Sequence, residues 1–551
     1  MKRADLAGVP NLAEQTSMAG PIRSRRPLYA DILPPCNAGC PAGENIQAWL
    51  AHVEAGDAAR GWRKLVEENP FPAIEGRVCY HPCESACNRS ELDNAVSIHA
   101  VERYLGDLAI DRGWNLPSGR ASNARRVLVI GAGPSGLSAA YHLARAGYQV
   151  EMADAGDEPG GMMRYGIPAY RLPRAVLDAE ISRLVKFGVS ISSGEKVTDL
   201  EDRRSEGGFD AVFVAVGAHL SKKIDIPNRD AGKILEAASF LRAVASGVTP
   251  VIGRRVAVYG GGNTAMDAAR TARRLGAAEA VVVFRRTVDQ MEAHPEEAAD
   301  AEAEGVKINW LRSISAFEGA DLVVEVLEPD TDGVARPTGR TERLPADSLI
   351  LAVGQEADTS FLRGVQGVEF NADGTVQVSD TMMTGHPGVF AGGDMVPAER
   401  TVTVGVGHGK NAARRIDEWL RHGRPSLRRA KADLASFDKL HLWYFADADR
   451  LTQQQIAPDE RLADFTEVTG GLRDTQARFE AGRCLSCGNC FECDGCLGAC
   501  PEDAVVKLGA GRRYRFDYDR CTGCAVCFDQ CPVHAITMVA EAGIEPGKQV
   551  R

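Results

Sequence analysis

The stretch VLVIGAGPSGL, residues 127–137, carries four apolar residues into a glycine-rich turn, and an alanine-rich helical pattern follows to Ala146. The apolar run reads as a parallel strand buried on both faces. Gly131 permits the tight turn, Gly133 lets the backbone approach a pyrophosphate, and Gly136 lets helix and strand pack closely. Pro134 and Ser135 lie in the turn before the expected helix Leu137–Ala146, whose N-terminus offers free N–H groups and a positive dipole end to phosphate. Asp154 closes the next strand, QVEMAD (149–154), where an acid accepts ribose hydroxyls. Strand, glycine turn, helix and acid together predict a dinucleotide site in doubly wound α/β structure.

Farther along the chain, VAVYGGGNTAMD (256–267) repeats the pattern, with Gly260, Gly262, Asn263 and Thr264 at the turn and Ala265 at the third small position. The following strand, AVVVF (280–284), ends in Arg285 and Arg286, not in an acid. Arginine there pairs with a 2′-phosphate, which favours NADP(H), with NAD(H) still possible; a solvated arginine pair is the alternative. Short β-runs ending VAVG217 and LAVG354 punctuate the region, and GVFAGGD (388–394) followed by TVTVGVGHGK (401–410) closes it. The region thus holds two dinucleotide-type (Rossmann-type) β–glycine-loop–α starts, an internal duplication at the level of the fold.

The cysteines flank this α/β block. Two runs, Cys490-x2-Cys493-x2-Cys496-x3-Cys500-Pro and Cys521-x2-Cys524-x2-Cys527-x3-Cys531-Pro, have bacterial-ferredoxin spacing. In it, three cysteines hold one [4Fe–4S] cube and the fourth crosses to the other. Zinc sites rarely show this spacing, and disulfides are rare in a reducing cytosol. Of the 15 cysteines, the rest are Cys36, Cys40, Cys79, Cys83 and Cys87 near the N-terminus and Cys484 and Cys487 just before the ferredoxin runs.

Composition bounds the whole. The 551 residues suffice for three or four domains, with 25% charged and 44% apolar residues as in ordinary globular proteins. A net charge of -11 argues against a nucleic-acid surface and is compatible with a basic redox partner. No apolar stretch is long enough for a membrane span, and the start MKRADLAGVPNLAEQ lacks the apolar core of a signal peptide. Iron–sulfur ligation without an export signal leads us to expect the cytoplasm. The expected division is an N-terminal arm (1–30), a helical iron–sulfur domain (31–122), the first dinucleotide domain in two parts (123–250 and 353–422), the inserted second domain (251–352), a connector (423–480) and an α+β ferredoxin-like domain (481–551).

At this point the chain resembles the two-dinucleotide-domain flavoproteins and, more narrowly, the small (beta) subunit of NADPH-dependent glutamate synthase and its relatives. The carriers are PPCNAGCPAGENI (34–46), PFPAIEGRVCYHPCESACNR (70–89), GGMMRYGIPAYRLPR (160–174), GGGNTAMDAAR (260–270) and VVFRRT (282–287). The resemblance implies FAD in the first site, held also by Gly161, Met162 and Gly393, with Asp394 on the ribityl chain. It implies the nicotinamide nucleotide in the second, and single electrons leaving through two N-terminal cubes. A nicotinamide delivers hydride, a cube takes one electron, and flavin converts between them. No catalytic acid or base is needed; Glu296 and Glu297 are expected on a solvated helix face, with a place near the nicotinamide pocket as the alternative.

Two departures shape the expectation. Members of this family usually carry a CxxC pair before the first cysteine run, and RSRRPLYADILP has none; EAGRC-LSC (480–487) resembles that segment, displaced. Cys484 and Cys487 are therefore expected to return and complete a cube with Cys36 and Cys87. The other would use Cys40, Cys79, Cys83 and, by resemblance, Glu102, with His99 and His81 as rivals. That makes four [4Fe–4S] clusters. The ferredoxin tail, absent from the glutamate synthase subunit, shifts the reading toward an NAD(P)H-linked electron-transfer subunit of a hetero-oligomer. Its partner would be ferredoxin or a large oxidoreductase subunit of the 2-oxoacid:ferredoxin oxidoreductase or sulfite-reductase type. The alternatives are the glutamate synthase small subunit proper and a structural iron–sulfur subunit with vestigial nucleotide sites.

Overall fold

The computed structural model describes residues 23–30, 32–222, 224, 226–227, 233–318, 321–425, 432–509 and 511–541. Most of the expected N-terminal arm, part of the connector and the last ten residues lie outside them.

The strand of the opening motif, Arg126–Ile130, sits at the centre of a five-stranded all-parallel sheet. Its order is Val389–Ala391, Ala211–Val214, Arg126–Ile130, Gln149–Asp154, Ser190–Ser193. Val127, Leu128 and Val129 are fully buried, as expected of a strand covered on both faces. The helix Pro134–Arg145 covers one face, and the long helix Val402–His422 packs on it at glycine contact. A Cβ at Gly409 would lie 2.1 Å from the Ser135 carbonyl oxygen, so only glycine allows that approach.

A second all-parallel sheet runs Lys307–Trp310, Glu279–Phe284, Arg255–Tyr259, Ser348–Leu351, Lys233–Glu236. The boundary expected at 250/251 is displaced. Strand Lys233–Glu236 and helix Ala237–Ala245 already belong to the second sheet, pairing with Ser348–Leu351. KILE has no glycine turn and too short an apolar run to announce a sheet edge. An antiparallel three-stranded sheet, Arg312–Glu318, Asp321–Pro329 and Ala335–Pro345, covers the second sheet, burying Phe317, Leu322 and Val324 against Ala257, Val283 and Leu349.

The N-terminal domain is helical, as expected. Its helices Pro72–Val78 and Ile98–Asp111 cross where a Cβ at Gly76 would lie 2.4 Å from the Arg103 nitrogen and one at Gly106 would lie 2.2 Å from the Ala73 nitrogen. This close crossing brings Glu102 toward the Cys79 loop. The connector folds back over the same domain, and its helix Asp474–Gly482 packs against Ile46–Glu54. The described part of the expected arm contains a strand. Strand Arg25–Tyr29 pairs antiparallel with Ile536–Ala540 of the ferredoxin domain, whose own hairpin is Val505–Lys507 with Tyr514–Phe516. Among the described residues, no helix is long and apolar enough to cross a membrane.

Candidate functional site

A cleft of about 1000 Å³ opens between the two parallel sheets. Gly131, Gly133, Pro134, Ser135, Asp154, Gly161, Met162, Gly393 and Asp394 line one side; Gly260, Gly262, Asn263, Thr264, Arg285 and Arg286 line the other. Every expected nucleotide residue but Gly136 faces this space. Gly136 lies beneath it, where a Cβ would fall 1.8 Å from the Gly131 oxygen. Its role is the helix–strand contact itself.

The two turns fit dinucleotide phosphates. A Cβ at Gly133 would meet only the Gly161 Cα, at 4.0 Å, and one at Gly262 would meet nothing within 4 Å, so at both points the backbone is open to a ligand. Gly131 (φ +103) and Gly260 (φ +147) sit in the turns, and a Cβ there would lie 2.4 Å from the Ala215 oxygen and 2.3 Å from the Ala352 oxygen respectively. Gly161 is required for a different reason: its Cβ would lie 2.8 Å from the Gly133 Cα.

Asp154 is held by its own loop. Its Oδ1 accepts from the Gly156 N–H at 2.7 Å and its Oδ2 from the Ala132 N–H, which fixes the carboxylate at the strand end. Burial pushes the Asp394 carboxyl up to about 6, with Arg400 acting in the opposite direction. Arg285 is exposed at the cleft edge, and Arg286 pairs with Glu292 at 2.9 Å. Of the two glutamates expected on a solvated face, Glu296 is exposed but Glu297 is not. Glu297 is buried in ion pairs with Arg171 and Arg270. An acidic helix pattern gives no hint of arginines arriving from two other elements.

The cysteines fall into groups. Cys36, Cys87, Cys484 and Cys487 line one small cavity, so the displaced pair does return to the N-terminal domain. The return is anchored by Arg483, which is 2% exposed. Its guanidinium donates to Ala448 O (3.0 Å), Ala95 O (3.1 Å), Asn94 O (2.6 Å), Glu480 Oε2 (2.9 Å) and Asp93 Oδ1 (3.0 Å). In the ferredoxin domain, Cys500 lines a cavity with Cys521, Cys524 and Cys527, the expected crossing of the fourth cysteine. Burial, then neighbouring Cys521, Cys524 and Cys500, push the Cys527 thiol up to about 12. Burial, then Cys490, Cys493 and Cys531, push Cys496 up to about 12.

These donor sets fit iron–sulfur cubes. Packed buried thiols resist ionising together unless a metal deprotonates them. Sulfurs also already accept N–H bonds of the kind that orient ligands and tune cluster potential. Cys79 accepts from His81 N at 3.2 Å, Cys484 from Ser486 N at 3.4 Å, Cys500 from Ala504 N at 3.3 Å, and Cys531 from Ala535 N at 3.3 Å.

Cys40, Cys79 and Cys83 lie together below the cleft, and Glu102 lies within electrostatic reach of Cys40 and Cys79. Glu102 is 6% exposed, and burial holds its carboxyl well above the usual range, with Glu44 beside it. Asn69 Nδ2 donates to Glu102 Oε1 and to Glu44 Oε1, each at 2.8 Å. The rival histidines are otherwise engaged. Both His99 ring nitrogens have partners, Glu84 Oε1 at 2.7 Å and Gln453 Oε1 at 2.9 Å. His81 packs its ring 4.2 Å from that of His99.

Sequence reasoning missed the residues that join these parts. Thr403, in the first turn of the helix whose Gly405 lines the cleft, bonds Glu75 Oε2 at 2.5 Å and faces Cys79. Tyr80, next to Cys79, lines the cleft itself. Lys410 on the same helix donates to Gly43 O at 2.9 Å, close to Cys40. Tyr80 within CYHPC was visible as a motif, but nothing in the string says that it faces the nucleotide cleft.

Comparison with known proteins agrees with this layout. Residues 125–414 match the pyridine nucleotide-disulphide oxidoreductase model, 24–114 the dihydropyrimidine dehydrogenase domain II 4Fe-4S cluster model, and 514–537 the 4Fe-4S binding domain. The chain is 36% identical over 502 residues to the NADP(+)-dependent formate dehydrogenase subunit beta of Moorella thermoacetica, covering 83% of this chain and 71% of that one. It is 32% identical over 502 residues to the NADPH-Fe(3+) oxidoreductase subunit beta of Geobacter sulfurreducens (82% and 75% covered). With the glutamate synthase [NADPH] small chain of Escherichia coli it shares 31% over 420 residues (70% and 89% covered).

Proposed function

Because this chain belongs to the pyridine nucleotide-disulphide oxidoreductase family, we propose that it is an NADPH-fed electron-transfer subunit whose ferredoxin domain delivers single electrons to a partner redox protein. The observation that carries the reading is the continuity of sites. Flavin-type and nicotinamide-type loops share one cleft, and cysteine groups follow one another from its floor to the far end of the chain.

The glycine turn at 131–136 with Asp154, Gly161, Met162, Gly393 and Asp394 would hold FAD. The turn at 260–264 would hold the nicotinamide nucleotide, with Arg285 and Arg286 placed for a 2′-phosphate. FAD held there supplies the exchange between a two-electron hydride and single electrons. Cys40, Cys79, Cys83 and Glu102 would hold the cube nearest the cleft. Cys36, Cys87, Cys484 and Cys487 would hold the second, Cys490, Cys493, Cys496 and Cys531 the third, and Cys500, Cys521, Cys524 and Cys527 the outermost.

The chain itself keeps these groups close. Cys36 and Cys40 are one helical turn apart, with Cys40 N bonded to Cys36 O at 3.1 Å, so their Cα atoms are separated by about 6 Å. Cys487 and Cys490 are three positions apart in the chain, and their Cα atoms can be no more than about 11 Å apart. Cys524 is the exposed cysteine and puts the last group at the surface. The partner is a redox protein, as the subunit names of the formate dehydrogenase and Fe(3+) oxidoreductase relatives suggest. Anaerobic iron, acid-labile sulfide and flavin analysis should return about 16 iron and one FAD per chain, four cubes of four. About eight iron would remove the N-terminal cubes.

A further inference from the structure

The nucleotide domain touches the loop of the cleft-proximal cysteines directly. Tyr80 follows Cys79, lines the cleft, and stacks on His294 of the inserted domain with ring centroids 4.6 Å apart and planes at 18°. His294 belongs to the nucleotide loop: its N–H donates to Asn263 Oδ1 at 2.8 Å, and Ala293 N donates to Gly261 O at 2.9 Å. Its Nδ1 is buried and without a hydrogen-bond partner among the described residues. Arg171, which faces the Tyr80 hydroxyl, is tied to the same domain through Asp267 at 2.8 Å. On the other side of Tyr80, His81 is held in the left-handed region (φ +40), and its N–H donates to Cys79 Sγ at 3.2 Å. Hydrogen bonds to ligand sulfur are one of the levers that set a cube's potential.

We propose that Tyr80 is a positioning residue that couples occupancy of the nucleotide turn at 260–264 to the potential of the cube held by Cys79, through the His294 ring on one side and the His81 N–H to sulfur on the other. The inference rests on the ligand and nucleotide assignments above. Ligand entry repositions the Asn263–His294 loop, the stacked Tyr80 ring follows, and the N–H···S geometry changes. Coupling between binding equilibria is reciprocal: the factor by which cube reduction changes nucleotide affinity must equal the factor by which the nucleotide changes the cube's reduction equilibrium.

The test uses the flavin- and cluster-loaded protein and 2′-phospho-ADP-ribose, the redox-inert portion of NADP that lacks the nicotinamide. EPR-monitored potentiometry with and without this probe should shift one cube by about fivefold in its reduction equilibrium, the low end of usual couplings. For a one-electron couple that is about 40 mV. Probe affinity for reduced and oxidised protein should differ by the same factor. Tyr80→Phe should keep the shift; Tyr80→Leu and, independently, His294→Ala should abolish it at saturating probe while retaining iron. A wild-type protein that binds the probe with no shift, or a shift that survives both ring-removing variants, overturns the coupling. If wild type fails to bind the probe, or Cys79→Ser keeps all its iron, the underlying site assignments fail and the coupling with them.

Discussion

Arg483→Met tests how the C-terminal cysteine pair is brought to the N-terminal domain. The guanidinium is almost fully buried and makes five N–H···O contacts, two of them to the carboxylates of Glu480 and Asp93. Removing it leaves Glu480, which is 0% exposed, without its counter-charge. Breaking a buried pair in this way costs about 3–5 kcal/mol. Glu480 still accepts from Ser97 N at 3.0 Å and from Leu451 N, which argues for the lower half of that range. The carbonyls of Asn94, Ala95 and Ala448 belong to exposed or half-buried residues that water can reach, so losing their partner adds little. A docking loss near 4 kcal/mol is about a thousandfold in the equilibrium that holds Cys484 and Cys487 against Cys36 and Cys87. The expected result is a drop from about 16 to about 12 iron, with faster limited proteolysis across 470–487 and intact ferredoxin-domain signals. Full iron content with unchanged protection would show that the segment is held by its apolar contacts and that the arginine is incidental.

Other outcomes follow from particular contacts. Replacing Arg285 and Arg286 together with alanine should weaken NADPH far more than NADH, by roughly 1.5–3 kcal/mol per charge-assisted phosphate contact; equal losses in nucleotide titrations would make the pair structural. Gly136→Ala places a Cβ 1.8 Å from the Gly131 oxygen and should yield protein without flavin absorbance, an overpacking cost of about 1–3 kcal/mol or more. Glu180 is fully buried, accepts from Ala73 N and Ile74 N, and burial raises its carboxyl to about 7. Its folded pKa lies above the unfolded value, so its contribution is full below about pH 4.5 and is lost as pH rises to about 7, a change of about 3 kcal/mol. Glu180→Gln should flatten that part of the stability–pH curve measured by thermal unfolding; an unchanged slope would contradict it.

The α/β core was legible because its signals are local. Gly131 and Gly260 each stand where the chain must turn with positive φ, and the strands before them are continuously apolar. The ferredoxin cysteines were legible from spacing, since their first three ligands lie within seven residues. The grouping of Cys484 and Cys487 with Cys36 and Cys87 depended on noticing a displaced segment. What anchors it, Arg483 on Asp93, is a contact between residues nearly 400 apart and leaves no periodic trace. The edge strand Lys233–Glu236 was misplaced because its partner, Ser348–Leu351, arrives more than 100 residues later. Glu297 was read as solvated for the same reason: Arg171 reaches it from another domain.

The central claim is that electrons from NADPH leave through the outermost ferredoxin group. The direct measurement is anaerobic NADPH oxidation by a Cys521→Ser, Cys524→Ser variant, followed with a dye that takes electrons from flavin and, separately, with a ferredoxin as acceptor. The account predicts fast flavin reduction and full dye reduction, with ferredoxin reduction abolished. Ferredoxin reduction at the wild-type rate would contradict it and would place the exit at an inner group.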